Sequence, residues 1–245
     1  MKDYFSTQSK IYAAFRPTYP EELYQFILQH VRNKSVAWDC ATGNGQVAQR
    51  LASDFEIVHA TDISIQQLDN AFKKENIYYS VSPAEKTSFS NHQFDLITVA
   101  QALHWFERDA FYEEVRRVCK PGGILAVWGY GLLNINPTIN KLIMEFYNGT
   151  VGPYWDNARR LVEDGYQSIY FPFETIQAPS FDITVHWTLD QLAGYLSSWS
   201  ATQGFVREKG YDPVPLFVKS LDQYCHNAEM IVTFPVFSKM GRVIL

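Results

Sequence analysis

Cysteine is scarce in this chain of 245 residues: Cys40, Cys119 and Cys225 stand far apart, with no CxxC or Cys/His spacing. A disulfide framework and a zinc site are thereby excluded, no metal ligand set is predicted, and a reducing cytoplasmic setting is expected. Long apolar runs are missing as well. The longest uncharged stretch, residues 121 to 140, is broken by four glycines, two prolines and three asparagines, and the opening MKDYFSTQSK has no signal-peptide h-region. Neither a membrane span nor secretion is predicted from it. Nor is there an excess of basic charge: 21 Lys and Arg face 26 Asp and Glu, for a net charge of -5. The pairs Lys73-Lys74, Arg116-Arg117 and Arg159-Arg160 are scattered and form no stripe, which disfavours nucleic acid as a partner. What the chain does have is 47% hydrophobic and 16% aromatic residues, enough for a sizeable core.

Hydrophobic periodicity orders the first half clearly. Leu23, Phe26, Ile27 and Val31 recur at helical spacing after Pro20, ahead of the buried-strand pattern SVAWDCA. Gly43 to Gly45 then turn into a helix carrying Val47, Leu51 and Phe55. EIVHATD is a second strand ending at Asp62, and Ser64 is placed to cap a helix through Leu68 and Phe72. IYYSV and FDLITVAQ are the third and fourth strands. A helix around Phe111, Val115 and Val118 stops at Pro121-Gly122-Gly123, and GILAVWGY is the fifth strand. Alternation of this kind predicts an α/β fold with a doubly wound parallel sheet and right-handed crossovers. Beyond Gly131 the alternation lapses. A helix is expected over residues 137 to 148, irregular chain over 153 to 180, a strand in FDITVHW, and helices in TLDQLAGYLSSWS and from Pro215 to Cys225. The ending EMIVTFPVFSKMGRVIL reads as a strand whose Pro235 suggests an edge or a bulge. One domain is expected, with a lid and first helix over 1–34, a cofactor-binding core over 35–130, a helical insertion over 131–180 and the rest of the sheet and helices over 181–245.

WDCATGNGQVA puts Gly43 and Gly45 directly after a strand and at the mouth of a helix, where the backbone can approach a ligand closely. Asp62, at the end of the second strand, is placed to accept both hydroxyl hydrogens of a ribose. Gly43-x-Gly45-x-x-Ala48 also fits the dinucleotide fingerprint, so the turn alone does not choose a cofactor. Asp39 does bear on the choice. A carboxylate beside this turn repels a pyrophosphate, whereas S-adenosylmethionine has no phosphate and offers an ammonium group to attract, directly or through water.

The segment from Asp39 to Gln46 resembles motif I of the class I S-adenosylmethionine-dependent methyltransferases. ATDIS resembles their acidic loop after strand 2, SPAEKTSF their AE-x-LPF segment, and FDLITVAQALHWF and VCKPGGILAVWG their strand 4 and strand 5 motifs. QSKIYAAFRPTYP and YLSSWSATQGF further resemble the methyltransferase type 11 group related to trans-aconitate methyltransferase and its fungal relatives. The resemblance implies a Rossmann-like, mostly parallel seven-stranded sheet with an N-terminal helical lid and a helical insertion after strand 5. It also implies S-adenosylmethionine as methyl donor and S-adenosylhomocysteine as product. Asp39, Ala41, Gly43, Gly45 and Gln46 would then meet the methionine part, Asp62 the ribose and Ile63 the adenine. Ala84 and Glu85 would sit near the adenine amino group, and Gln101 and Ala102 at the end of strand 4 beneath the sulfonium. Tyr12 and Arg16 would face the cofactor from the lid. One departure stands out: Ala41 occupies the first glycine of the usual D-x-G-x-G-x-G pattern, and its methyl group is tolerated if φ is negative.

Methyl transfer from a sulfonium is an in-line displacement, which needs alignment and exclusion of water more than it needs a base. A carboxylate acceptor is already ionised at neutral pH; a phenol, an amine or a carbon acid would draw on a histidine. His104, just past the fourth strand, is the candidate catalytic residue. With Trp105 it reads first as a wall around the cofactor, and acceptor positioning and base catalysis are the alternatives. Arg16 offers a bidentate contact to the methionine carboxylate or to an acidic acceptor. Tyr19 on the lid, with Tyr195 and Trp199 on one face of a predicted helix, completes the substrate candidates. The expectation is a cytoplasmic enzyme methylating a small molecule, with a carboxylate oxygen of an organic acid as the candidate acceptor. An NAD(P)-dependent oxidoreductase and a non-catalytic S-adenosylmethionine-binding protein are the competing readings. Oligomeric state is left open.

Overall fold

The computed structural model describes residues 16–225 and 229–244. Helix α1 (Glu21–Leu28) precedes five parallel strands: β1 (Val36–Cys40), β2 (Ile57–Asp62), β3 (Ile77–Val81), β4 (Phe94–Ala100) and β5 (Cys119–Tyr130). Between them run α2 (Gln46–Leu51), α3 (Ile65–Asp69) and α4 (Arg108–Val118). The later elements are α5 (Pro137–Glu145), α6 (Arg159–Glu163), β6 (Glu174–Ile176), β7 (Phe181–Trp187), α7 (Leu189–Ser197), α8 (Ser200–Lys209), α9 (Val214–Leu221) and β8 (Met230–Arg242). The sheet order is β3-β2-β1-β4-β5-β8-β6, with β7 also on β8, and β8 is antiparallel to its three partners. This is the Rossmann-like arrangement the alternation predicts. No helix among the described residues is long and apolar enough to cross a membrane.

Why the central strands are continuous apolar runs is plain from their burial. Both faces of β4 are covered, so every residue from Phe94 to Val99 is buried, and alternation is lost. On one face α1 and α2 press Leu23, Ile27, Val47 and Leu51 onto Ala37, Val58 and Leu96. The aliphatic contacts dominate there: each fully buried side chain contributes about 2 kcal/mol, whereas the partly exposed Arg50–Glu21 pair that also ties α2 to α1 contributes less than about 1 kcal/mol. On the other face α4 sets Phe111, Val115 and Val118 against Trp38, Ile97 and Val99. A third cluster joins α5, α7, α8 and α9 to the β7–β8 ribbon.

Three expectations change. The second crossover helix ends at Asp69, before Phe72, because the Phe72 N–H turns to the Asn44 carbonyl (3.2 Å) and ties the chain to the glycine turn. The seven-stranded expectation stands, with one extra strand: eight assigned strands fill seven positions. Met240 pairs with both Ala126 and Ile176, and Val236 with both Tyr130 and Phe181, so β6 and β7 follow each other along the edge of β8 that faces away from β5. Pro235, expected at an edge or a bulge, sits in an interior strand. Its carbonyl accepts from Gly131 N–H (2.9 Å), so the N–H it lacks would face the point where β5 has already ended at Tyr130. Residues 153 to 180, expected irregular, also contain α6 and β6.

Candidate active site

Strand order reverses between β1 and β4, whose crossovers leave in opposite directions, and a crevice opens beyond their C-terminal ends. The register pairs Asp39 with Thr98 and Cys40 with Val99, so the residues after each strand, Ala41 and Gln101, come side by side. Both have left-handed backbones, at φ 54° and 55°. For Ala41 the condition of a negative φ is not met, and the methyl group is accommodated in a left-handed conformation that favours glycine. Strain of this kind persists only where surroundings over-determine it.

Those surroundings centre on Asp39, which is buried at 1% exposure. Its Oδ1 accepts from Thr98 Oγ1 (2.9 Å), and its Oδ2 accepts from Thr42 Oγ1 and from Ala48 N–H (3.1 Å). The carboxylate therefore ties together β1, β4, the glycine turn and the first turn of α2. Burial pushes its pKa up to about 6, although the hydrogen bonds from Thr42, Thr98 and Ala48 pull the other way. Gly43 and Gly45 have φ of 57° and 80°. At Gly45 a Cβ would overlap the Tyr79 hydroxyl, so glycine is required for space as well as for conformation. Asp62 stitches the far side, accepting Gly43 N–H and Ser64 N–H at 2.9 Å each.

One cavity, of about 610 Å³, opens over this turn and is walled by Asp39, Ala41, Gly43, Gln46, Tyr130 and Gln101 among others. Tyr19 joins this wall and leans edge-on to Trp128 (5.6 Å), so the structure sets it on the cofactor side and not beside the other substrate candidates. Gly45, Asp62, Ile63, Ala84, Glu85 and Ala102 lie outside the cavity wall. Ala84 and Ala102 are buried, while Glu85 accepts the Glu107 N–H (3.1 Å) at the start of α4. Gln101 donates Nε2–H to the Tyr130 carbonyl (3.2 Å), yet its Oε1 is buried with no hydrogen-bond partner among the described residues. A buried acceptor left open at the cavity rim, a negative group behind the turn and a glycine-lined approach fit a cationic sulfonium cofactor.

A second cavity, of about 570 Å³, adjoins the first, and Arg16 and Gln101 belong to the walls of both. Arg16 donates to the Tyr130 hydroxyl (2.7 Å) and its guanidinium sits 5.8 Å from the Tyr195 ring centre. His104 and Trp105, in a single 3₁₀ turn after β4, face Tyr195 from α7 and Trp199, which the sequence placed on the same helix but which stands in extended backbone at the start of α8. Both of the latter are core residues at 3% exposure and cavity walls at once. His104 Nδ1 is 2.7 Å from the Tyr166 hydroxyl. Burial, helped by the positive charge of Arg159 and opposed by Asp156, drives its pKa down to about 3, so the ring is neutral at physiological pH. Tyr12 lies outside the described residues.

Sequence reasoning missed Trp155, Asp156, Arg159 and Ser200 in this second wall, and Tyr166 behind it. Arg159 stands over Trp155 (4.9 Å) and its Nε donates to Tyr147 Oη (2.9 Å). The available signal was the tryptophan beside an arginine pair in a stretch otherwise irregular; nothing local marks it as part of a cavity.

The geometry agrees with what the chain is similar to. A methyltransferase-domain family model matches residues 38–127, from Trp38 in β1 to Val127 in β5. A Dictyostelium discoideum protein assigned as a methyltransferase is 35% identical over 98% of this chain and 95% of its own length. A Saccharomyces cerevisiae protein assigned as an S-adenosylmethionine-dependent methyltransferase is 22% identical over 94% of this chain and 92% of its own. The solved structure of an Anaeromyxobacter dehalogenans protein assigned as a type II methyltransferase superposes with a TM-score of 0.86 at 34% identity, covering 94% of this chain and 99% of that one. With glycine turn, switch-point crevice and near full-length relatives in agreement, the chain belongs to the class I S-adenosylmethionine-dependent methyltransferases.

Proposed function

We propose that the methyl acceptor is a small molecule carrying a carboxylate, that it is seated in the second cavity, and that a carboxylate oxygen receives the methyl group. The observation that carries this reading is the pair of adjoining cavities with Arg16 and Gln101 common to both, the second also containing Arg159 among aromatic walls. S-adenosylmethionine supplies an electrophilic methyl group on a sulfonium. The acceptor oxygen forms a bond to the methyl carbon as the carbon–sulfur bond breaks, and the bonding pair stays on sulfur. A carboxylate enters already ionised, so no proton has to leave, in keeping with a histidine whose neutrality is enforced by burial. Arg16 and Arg159 hold the anion, and Trp105, Trp155 and Trp199 cover its apolar part, so that the seated acceptor displaces water from the aromatic walls. On the donor side Gly43, Gly45 and Gln46 contact the methionine end, and Asp62 gives up Gly43 N–H in favour of the ribose hydroxyls. Ile63, Ala84 and Glu85 border the adenine, and Gln101 Oε1 faces the sulfonium. The likeness of QSKIYAAFRPTYP and YLSSWSATQGF to the group around trans-aconitate methyltransferase supports an acidic acceptor. Labelled methyl donor offered with a panel of carboxylic acids, phenols and amines tests the reading: methyl esters are the expected products, and turnover confined to phenols or amines would sink it.

A further inference from the structure

We propose that Tyr166 is a positioning residue that fixes the tautomer of His104, holding Nδ1 as an acceptor so that Nε2 carries the proton and the ring meets the methyl acceptor as a hydrogen-bond donor, not as a base. The first observation is the contact itself, Tyr166 hydroxyl to His104 Nδ1 at 2.7 Å, across 62 positions of sequence. The second is how firmly Tyr166 is built in. It is fully buried, at 0% exposure, with its ring edge-on to Phe237 at 4.9 Å. Gly165 and Tyr166 are consecutive left-handed residues, at φ 63° and 60°, in the turn that leaves α6. That turn is closed by Gly165 N–H to the Val162 carbonyl (3.1 Å) and Tyr166 N–H to the Leu161 carbonyl (2.8 Å). A tyrosine rarely adopts this backbone; here two hydrogen bonds and a buried ring impose it, and the result aims the phenol at His104.

The sense of the hydrogen bond follows from the two groups. A phenol O–H is a better donor than a neutral imidazole N–H, and an unprotonated imidazole nitrogen is a better acceptor than a phenol oxygen. Burial raises the Tyr166 pKa well above the usual phenol range, so the proton stays on oxygen at every working pH. The other charged groups around the ring are Arg159, which opposes a second proton, Asp156, which favours one, and Arg16 across the cavity. A donor Nε2–H suits an anionic acceptor, whose second oxygen it can hold while the first is methylated. That last step rests on the acceptor reading above; the tautomer does not, since it belongs to the chain alone.

The test uses the full chain with ¹⁵N-labelled histidine and two-bond ¹H–¹⁵N correlations of the imidazole, the His104 signals being assigned by their loss in His104→Gln. The expected pattern is Nε2 protonated and Nδ1 bare, unchanged between about pH 8 and pH 5, with Tyr166→Phe converting it to a mixture of tautomers. An Nδ1–H tautomer, or a ring that titrates at the ordinary histidine value, would overturn the proposal; both are read on the unsubstituted chain, with His104→Gln serving only for assignment, and neither needs a known acceptor. With any acceptor that turns over, His104→Gln, which keeps a donor, should retain kcat within about fivefold, while His104→Ala loses at least about tenfold. Tyr166→Phe should lower kcat by a similar factor with the cofactor Kd unchanged. Equal loss in His104→Gln and His104→Ala would mean a base and overturn the donor role, leaving the methyltransferase reading itself intact.

Discussion

Between Val36 and Asp62 the site is drawn by backbone: glycine torsions, N–H groups and one buried carboxylate shape the cavity, all within 27 consecutive positions. Beyond Tyr130 it is drawn by side chains. Trp155, Arg159, Tyr166, Tyr195 and Trp199 arrive from separate turns and helices, and Tyr166 is tied to His104, 62 positions away in sequence. On the reading proposed above, the first region holds a cofactor common to a whole family, so its geometry would tolerate little variation. The second would meet the methyl acceptor, and a wall of independently replaceable side chains would let that change without disturbing the turn.

Substitutions should separate the two regions cleanly. The largest effect is expected for Gly45→Ala, where a Cβ collides with Tyr79 at a φ that disfavours alanine. Calorimetry with S-adenosylhomocysteine should find affinity reduced by at least about a hundredfold, and an ordinary Kd would mean that the turn is not the cofactor site. Next comes Arg159→Ala, for which the acceptor KM should rise about thirtyfold while the cofactor Kd stays the same. Arg16→Ala, on the wall between the cavities, should weaken both by about tenfold. An effect on one ligand alone would assign Arg16 to that side.

A pH profile of cofactor binding probes Asp39. Because burial raises its pKa to about 6, the carboxyl is protonated below that value and loses its attraction for the cofactor ammonium. Affinity should therefore fall severalfold as pH drops from about 7 to about 5, and Asp39→Asn should flatten the curve. Folding stability runs the opposite way. A carboxyl with a raised folded-state pKa favours the native state below its unfolded value of about 4, and that contribution disappears as pH rises through about 6. The smallest effect is expected for Ala41→Gly. Relieving the left-handed alanine should stabilise the fold by up to about 1 kcal/mol in thermal unfolding, with cofactor affinity nearly unchanged.

Much of the first region was legible in advance. Gly43, Gly45, Asp39 and Asp62 stand at fixed short spacings around a strand and a turn, so local torsion and register carry them to the crevice without help. The sign of φ at Ala41 was not legible, because the Asp39 network and the Thr98 register that enforce it come from a strand some sixty positions on. The second wall was legible only in part. Tyr195 and Trp199 were seen as a pair on one helical face, and they do meet in the cavity, but the helix ends at Ser197 and Trp199 arrives from the extended residue before α8; His104-Trp105 follows a strand end. Arg159 and Tyr166 sit in a stretch without periodicity and look no different from surface residues.

By itself, the sequence determined the strand and helix alternation, the glycine turn and the cofactor class, since each depends on interactions among residues a few positions apart. Tertiary structure alone decided three things: that Asp39 spends its carboxylate on the protein, that His104 is neutral and tied to Tyr166, and that two arginines flank one aromatic cavity. The physical reason is common to all three. Burial and charge are set by everything that surrounds a group in space, and for these groups most of that surrounding chain lies far away in sequence.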